Sequence, residues 1–330
     1  MLKTHILSGA ATGLVIAVLL VAPTIASVVY GAETVKVHVF RGSNNLALMV
    51  ADEKSFFGKN NIKLELSFTQ SSTEQLTGIR DGKWDLGTTA TDNVIAYNTN
   101  EGTDFFMFMG VGGTNLRLFL APSVKSFSDL RGKSLGVDAA TTGYAFVLQK
   151  ILHENGLKPG DYKLVPVGGT VTRFESLKKQ EIVGTLLTPP YIGQAREAGL
   201  KDMGEMTRYI PGYANTIGFT TRRWAETHRD TLVRFINAYI RAVDWVFDPK
   251  NITEAASILA KNLKLSHEAA AGSIDEDLMH PTMGVYKKAA IPVDGIKTVI
   301  ALRAEMGYLK PPLPEPSQFY DLSYLEKASR

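Results

Sequence analysis

Six short segments hold the polar residues best placed to do chemistry, and each follows a predicted strand and opens a predicted helix. Gly42-Ser-Asn-Asn brings Ser43 and Asn44, N-cap residue types beside backbone N–H groups that a ligand could use. Gln70-Ser-Ser-Thr repeats that logic with Ser71 and Ser72. Thr88-Thr-Ala-Thr-Asp-Asn supplies Thr89, Thr91 and an acid, Asp92, at a helix start, where the peptide dipoles favour negative charge. Asp138-Ala-Ala-Thr-Thr-Gly-Tyr is the richest: Thr141 and Thr142 offer hydroxyls, Gly143 lets backbone approach a ligand, and Tyr144 offers a flat face. Val167-Gly-Gly-Thr adds Thr170, and Thr188-Pro-Pro-Tyr adds Pro190 and Tyr191. Asn115 and Asn215 complete the set. These groups suit reversible binding of a small polar or aromatic molecule rather than bond-breaking. Ser43, Asn44 and Asp92 equally fit plain helix caps, and Tyr191 equally fits packing.

The composition narrows the function further. Lys and Arg number 36 against 33 Asp and Glu, a net charge of +3 with no basic run longer than two residues. That argues against a nucleic-acid partner. Cys is absent, which removes disulfides, cysteine nucleophiles and thiolate metal sites. The six His show no metal-ligand spacing, so no metal and no cofactor is expected. Gly132-Lys-Ser resembles the end of a phosphate-binding loop, but Phe127 stands where its first Gly belongs and the strand follows instead of preceding. Gly-x-Ser-x-Gly does not occur. No nucleophile paired with a base is found, and the protein reads as a non-enzyme.

The elements that must position these residues alternate. Strands are predicted at Val35–Phe40, Ile62–Phe68, Trp84–Thr88, Phe105–Val111, Leu116–Ala121, Ser134–Val137, Tyr162–Val167, Val183–Leu187 and Asn215–Thr221. Helices lie between most of them, and four longer ones follow: Trp224–Phe247, Thr253–Leu263, Ser266–Leu278 and Val293–Met306. Strands alternating with helices of about ten residues predict βαβ units and parallel sheets, an α/β fold. The tail Lys310–Pro316, with four prolines, should lie extended on the surface. At the other end, Lys3, an apolar stretch over Ile6–Leu20 and a small-residue tail with Pro23 have the layout of a secretory signal peptide over residues 1–32.

Several segments resemble the bacterial periplasmic solute-binding proteins for nitrate, sulfonates, taurine and thiamine-precursor pyrimidines. They are Ala51-Asp-Glu-Lys-Ser-Phe-Phe-Gly-Lys with Ile62-Lys-Leu-Glu-Leu, Gln75 to Gly87, Phe127-Ser-Asp-Leu-Arg-Gly-Lys-Ser-Leu-Gly-Val, and Leu187-Thr-Pro-Pro-Tyr. They keep the family's order across residues 35–225. Two departures are local: Ser55 replaces a Gly before Phe-Phe, and Asn60-Asn61 replaces a Gly before the second strand. The resemblance implies a two-lobe type II periplasmic-binding-protein fold with two crossover segments and C-terminal helices. Lobe one would be residues 33–118 plus 219–330 and lobe two 119–218, with crossings at Leu116–Pro122 and Tyr213–Thr220. It further implies a monomer in the periplasm that closes over a sulfonate, carboxylate or pyrimidine-like solute and hands it to an ABC permease and its ATPase. A pyrimidine-precursor enzyme or a ligand-presenting sensor on the same fold are the alternatives. Arg41 is the one cation that can be placed in the cleft from sequence.

Overall fold

The computed structural model describes Met1 and residues 31–113, 115–280 and 283–330. The expected signal segment, residues 1–32, lies outside these apart from Met1 and its last two residues. Among the described residues, ten strands form two five-stranded sheets. The first holds β1 (Glu33–Phe40), β2 (Ile62–Thr69), β3 (Leu86–Ala90), β4 (Phe105–Gly112) and β10 (Thr216–Thr221), ordered β2-β1-β3-β10-β4. The second holds β5 (Arg117–Leu120), β6 (Ser134–Val137), β7 (Lys163–Pro166), β8 (Gly184–Leu187) and β9 (Lys201–Glu205), ordered β7-β6-β8-β5-β9.

The two sheets repeat one plan. In the first, β1 pairs in parallel with β2 and β3, and β10 runs antiparallel between β3 and β4. In the second, β6 pairs in parallel with β7 and β8, and β5 runs antiparallel between β8 and β9. Each antiparallel strand is the one that has just arrived from the other sheet. The chain passes between sheets twice, over residues 113–116 and 206–215. The expected crossings Leu116–Pro122 and Tyr213–Thr220 therefore fall largely on β5 and β10 themselves.

Helices cover both sheets: α1 (Leu46–Glu53), α2 (Phe56–Lys59), α3 (Ser72–Arg80), α4 (Thr91–Glu101), α5 (Gly143–Glu154), α6 (Thr170–Lys178) and α7 (Tyr191–Glu197). The C-terminal part adds α8 (Arg222–Thr227), α9 (Arg229–Phe247), α10 (Ile252–Leu263), α11 (His267–Ser273), α12 (Val293–Glu305) and α13 (Ser323–Ala328). The helix expected over Trp224–Phe247 is thus two helices, broken at His228, whose φ of −124° and ψ of 35° leave the helical region. The Ser266–Leu278 helix loosens after Ser273 into one wide π turn.

The core follows the pattern of the sequence. β4, Phe-Phe-Met-Phe-Met-Gly-Val-Gly, is buried at every position because apolar side chains leave it on both faces. Gly110 in β4 admits the Gly284–Ala290 segment: a Cβ there would lie 2.0 Å from the Ala290 carbonyl oxygen. The C-terminal tail also reaches β4. Met107 N–H donates to Phe319 O at 2.8 Å, and Asp321 N–H donates back to Met107 O at 3.1 Å. Trp84 and Trp245 are half-buried at the core's margin, and Trp84 stacks on His38 at 3.5 Å.

Candidate functional site

A cavity lies between the C-terminal ends of the two sets of strands. It contains about 610 Å³ of space free of atoms, part of it open to solvent. Phe40 ends β1, and Arg41, Gly42 and Asn44 follow it; Thr88, Thr89 and Ala90 end β3; Asn93 stands in α4; and Thr216 begins β10. From the second sheet come Asp138 and Thr142 after β6, Tyr144 in α5, Thr170 and Arg173 in α6, and Thr188 after β8.

Sharp strand-to-helix turns carry most of these side chains. After β1 a 3₁₀ turn over Ser43–Asn45 is pinned by Asn45. Its amide donates to Phe40 O at 2.7 Å, and its carbonyl accepts from the Thr88 hydroxyl at 2.9 Å. This holds the β1 and β3 turns at a fixed spacing. Asn44 then reaches Thr216 Oγ1 at 3.5 Å. On the other side the Thr142 hydroxyl donates to Ala139 O at 2.9 Å, and Tyr144 OH donates to Asn215 Oδ1 at 2.9 Å.

Arg173 is the principal charged group of the cavity, and the sequence reading missed it. Its side chain is 2 % exposed. It donates to Gly168 O at 2.7 Å, to Thr170 Oγ1 at 3.0 Å and to Leu186 O at 3.3 and 3.4 Å. All are neutral acceptors, and no ion pair to it exists among the described residues. Burial pushes its pKa below the usual guanidinium value, while the charge of Asp138 pushes back. A signal was present: Arg173 lies three residues after Thr170, so it shares the helix face that opens on the cavity. Arg41 is the second cation of the wall, stacked 4.4 Å above the Phe68 ring and bonded to Asn262 O at 3.3 Å.

Among the expected site residues, the structure brings Asn44, Thr89, Thr142, Tyr144 and Thr170 to the cavity wall. The others are placed elsewhere. Ser43 is buried in its turn, and Ser71 caps α3 by accepting from Glu74 N–H at 3.2 Å. Ser72 is taken by Asp138 from across the cavity. Thr91 is buried, its N–H bonded to Asn215 O at 2.7 Å. Thr141 is exposed, while Asn115 and Asn215 are buried between the sheets. Pro190 lines a separate groove with α11, and Tyr191 packs on Phe174 with ring centres 5.7 Å apart.

Asp92 and Gly143 serve a different purpose from the one expected. Asp92 is fully buried and paired with Arg303 of α12 at 2.9 Å, both side chains 0 % exposed. Burial raises the Asp92 pKa to about 6 although the Arg303 charge pulls it down. Gly143 faces this pair and not the cavity: a Cβ there would lie 2.5 Å from Asp92 Cβ and 2.6 Å from the Tyr213 hydroxyl. Its missing side chain makes room for the ion pair. Tyr213 sits fully buried beside them, its pKa raised by burial and then by the Asp92 charge.

Solved structures with the same architecture were found at low identity. The periplasmic nitrate-binding protein NrtA from Synechocystis PCC 6803 superposes with a TM-score of 0.78 at 13% identity, covering 90% of this chain and 88% of that one. The ligand-binding component of an ABC-type import system from Staphylococcus aureus gives 0.75 at 14%, covering 90% and 99%. The alkanesulfonate-binding protein SsuA from Xanthomonas axonopodis pv. citri, bound to MOPS, gives 0.72 at 11%, covering 88% and 100%. These likenesses establish the two-lobed periplasmic-binding-protein fold. A search of curated proteins finds no match. The model of the NMT1/THI5-like family matches residues 43–252, well over half of the sequence, and the chain belongs to that family.

Proposed function

We propose that this protein is an exported solute-binding protein that captures a small organic anion, a sulfonate or a carboxylate, and delivers it to an ABC permease. The observation that carries the ligand class is Arg173. A buried guanidinium is costly to keep without a counter-charge. Here it stands on the wall of the cavity between the two sheets, hydrogen-bonded only to neutral oxygens. An oxyanion entering the cavity would supply the missing charge through strong, charge-assisted hydrogen bonds. Arg41 adds a second cation, Asp138 subtracts one, and Phe40 and Tyr144 give flat apolar walls to the rest of the molecule.

Export rests on the layout of residues 1–32, and a mature N-terminus between Ser27 and Glu33 would be seen by mass spectrometry of periplasmic protein. Transfer to a permease with its ATPase is supported by family membership and by neighbours described as components of ABC import systems. Lobe one, 33–118 plus 219–330, and lobe two, 119–218, would act as the moving halves of a monomer. The division of strands into two sheets joined by two short passages supports that reading. The ligand site would be the wall set Asn44, Thr89, Thr142, Tyr144, Thr170 and Arg173.

Thermal-shift screening tests the ligand class. Methanesulfonate, taurine, acetate and a pyrimidine should separate, with the sulfonates or carboxylates raising the melting temperature. A ligand at 100 times its Kd stabilises by about 2.7 kcal/mol. A shift with the neutral pyrimidine alone would reject the anion reading.

A further inference from the structure

Asp138 lines the cavity, but its carboxylate is committed across it. Both oxygens accept from the Ser72 N–H, at 3.4 and 3.3 Å, and one also accepts from the Ser72 hydroxyl. Ser72 is the first residue of α3, which packs on the first sheet, whereas Asp138 follows β6 of the second. The first N–H groups of a helix have no partner within it and attract negative charge. Two neighbouring N–H groups at this helix start are also taken. Ser71 accepts from Glu74 N–H, and the Glu74 carboxylate accepts from Gln70 N–H at 2.9 Å. A backbone bond, Gly169 N–H to Gln70 O at 2.9 Å, crosses between the same two halves nearby. The helix end that the sequence offers to a ligand therefore holds the chain's own carboxylate, delivered from the opposite half.

We propose that Asp138 is a built-in closing group. Seated on α3, it holds the two halves together before any solute arrives, and the solute adds to a closed state that already exists. The inference rests on the hinge-closure part of the proposed function and is independent of the ligand's identity. Ser72 is 2 % and Asp138 9 % exposed, so the contact is shielded from water and from competing ions. Apparent affinity scales with the fraction of protein that is binding-competent. Where the closed form is that fraction, loss of the contact through Ser72, which does not line the cavity, weakens every solute by one common factor. A residue that touches the ligand instead discriminates among solutes.

The absence of native cysteine makes a direct measurement simple. Lys63→Cys and Lys179→Cys, both at exposed positions on opposite halves, carry a dye pair for single-molecule energy transfer on the mature chain. Without ligand, the otherwise unaltered protein should show a dominant high-transfer population. Asp138→Ala should lower the closed-to-open ratio by a factor of about 10 or more, the size expected for a hydrogen bond to a charged group. Ser72→Ala removes only the hydroxyl arm and should lower it less. It serves as the second test if Asp138→Ala does not fold. Identical ligand-free distributions for the unaltered protein and both variants overturn the proposal. If that shared distribution is open and closes on adding methanesulfonate, binding-driven closure stands and the built-in clasp fails. If the clasp is seen and no anion binds, the ligand reading fails alone.

Discussion

The Cβ that Gly143 lacks would fall 2.5 Å from the Cβ of Asp92, a separation that non-bonded carbons do not tolerate. Residue 143 therefore governs how closely α5 approaches α4. Gly143→Ala should cost about 1–3 kcal/mol of stability, the usual price of overpacking. Urea unfolding measures this directly. An unchanged midpoint would mean that the backbone yields at no cost.

Replacing the buried cation should abolish most anion binding. Arg173→Gln removes the charge and leaves one amide donor on a shorter side chain. Loss of a charge-assisted hydrogen bond of about 1.5–3 kcal/mol corresponds to a Kd raised about 10–150-fold. Calorimetry with the tightest anion from the thermal screen gives the number. Wild-type affinity in a folded variant would remove Arg173 from the site.

The Asp92–Arg303 pair should behave as a unit. Arg303→Met leaves a buried carboxylate without its partner, which costs about 3–5 kcal/mol. Asp92→Asn with Arg303→Met together should be milder than Arg303→Met alone, because no unpaired charge remains. A double-mutant cycle by thermal unfolding reads the coupling. Strict additivity would mean that the two groups do not stabilise each other.

Acid should find His38. Burial lowers its pKa to about 4, partly opposed by Glu74, with Lys83 lowering it further. In the unfolded chain an imidazole titrates at about 6.5. Below that value the unfolded state binds a proton that folded His38 refuses. Its contribution is thus complete above about pH 6.5 and is lost progressively as pH falls towards 4. The unfolding midpoint of the wild type should fall more steeply across that window than that of His38→Phe. Parallel curves would show that His38 is not the group responsible.

Much of this architecture was legible from the chain. Alternating strands and helices gave two βα series, and most of β1 to β8 follow apolar runs; β3, Leu-Gly-Thr-Thr-Ala, does not, and its expected span Trp84–Thr88 starts two residues early. β9, Lys-Asp-Met-Gly-Glu, escaped notice because it is an edge strand, partly exposed at every position and without alternation. The two departures from the family pattern proved conformationally neutral. Ser55 and Asn61 adopt φ of 56° and 54°, the left-handed region that Gly would occupy, so the turns persist with other residues. The site was legible only as turns. Tyr144 and Thr170 reach the wall from the first turn of a helix, and Thr142 from the N-cap before one. Asp92 sits there too, yet it turns inward to Arg303, some two hundred residues away in sequence. Pairing at such separation leaves no local trace, and the same holds for the reach of Asp138 to Ser72.

The bonds between Met107 and the Phe319–Asp321 segment have a consequence for solubility. β4 is the last strand of its sheet, and every side chain along it is buried. An apolar outer strand with free N–H and C=O groups is a template for another chain to pair with. The tail fills that role from within the molecule, tying up both polar groups of Met107. A chain shortened before Phe319 would keep both sheets and the whole cavity wall but would bare the Met107 stretch of this margin, beyond the part that Val285 and Tyr286 cover. Such a chain should lose its monodispersity before it loses its ligand.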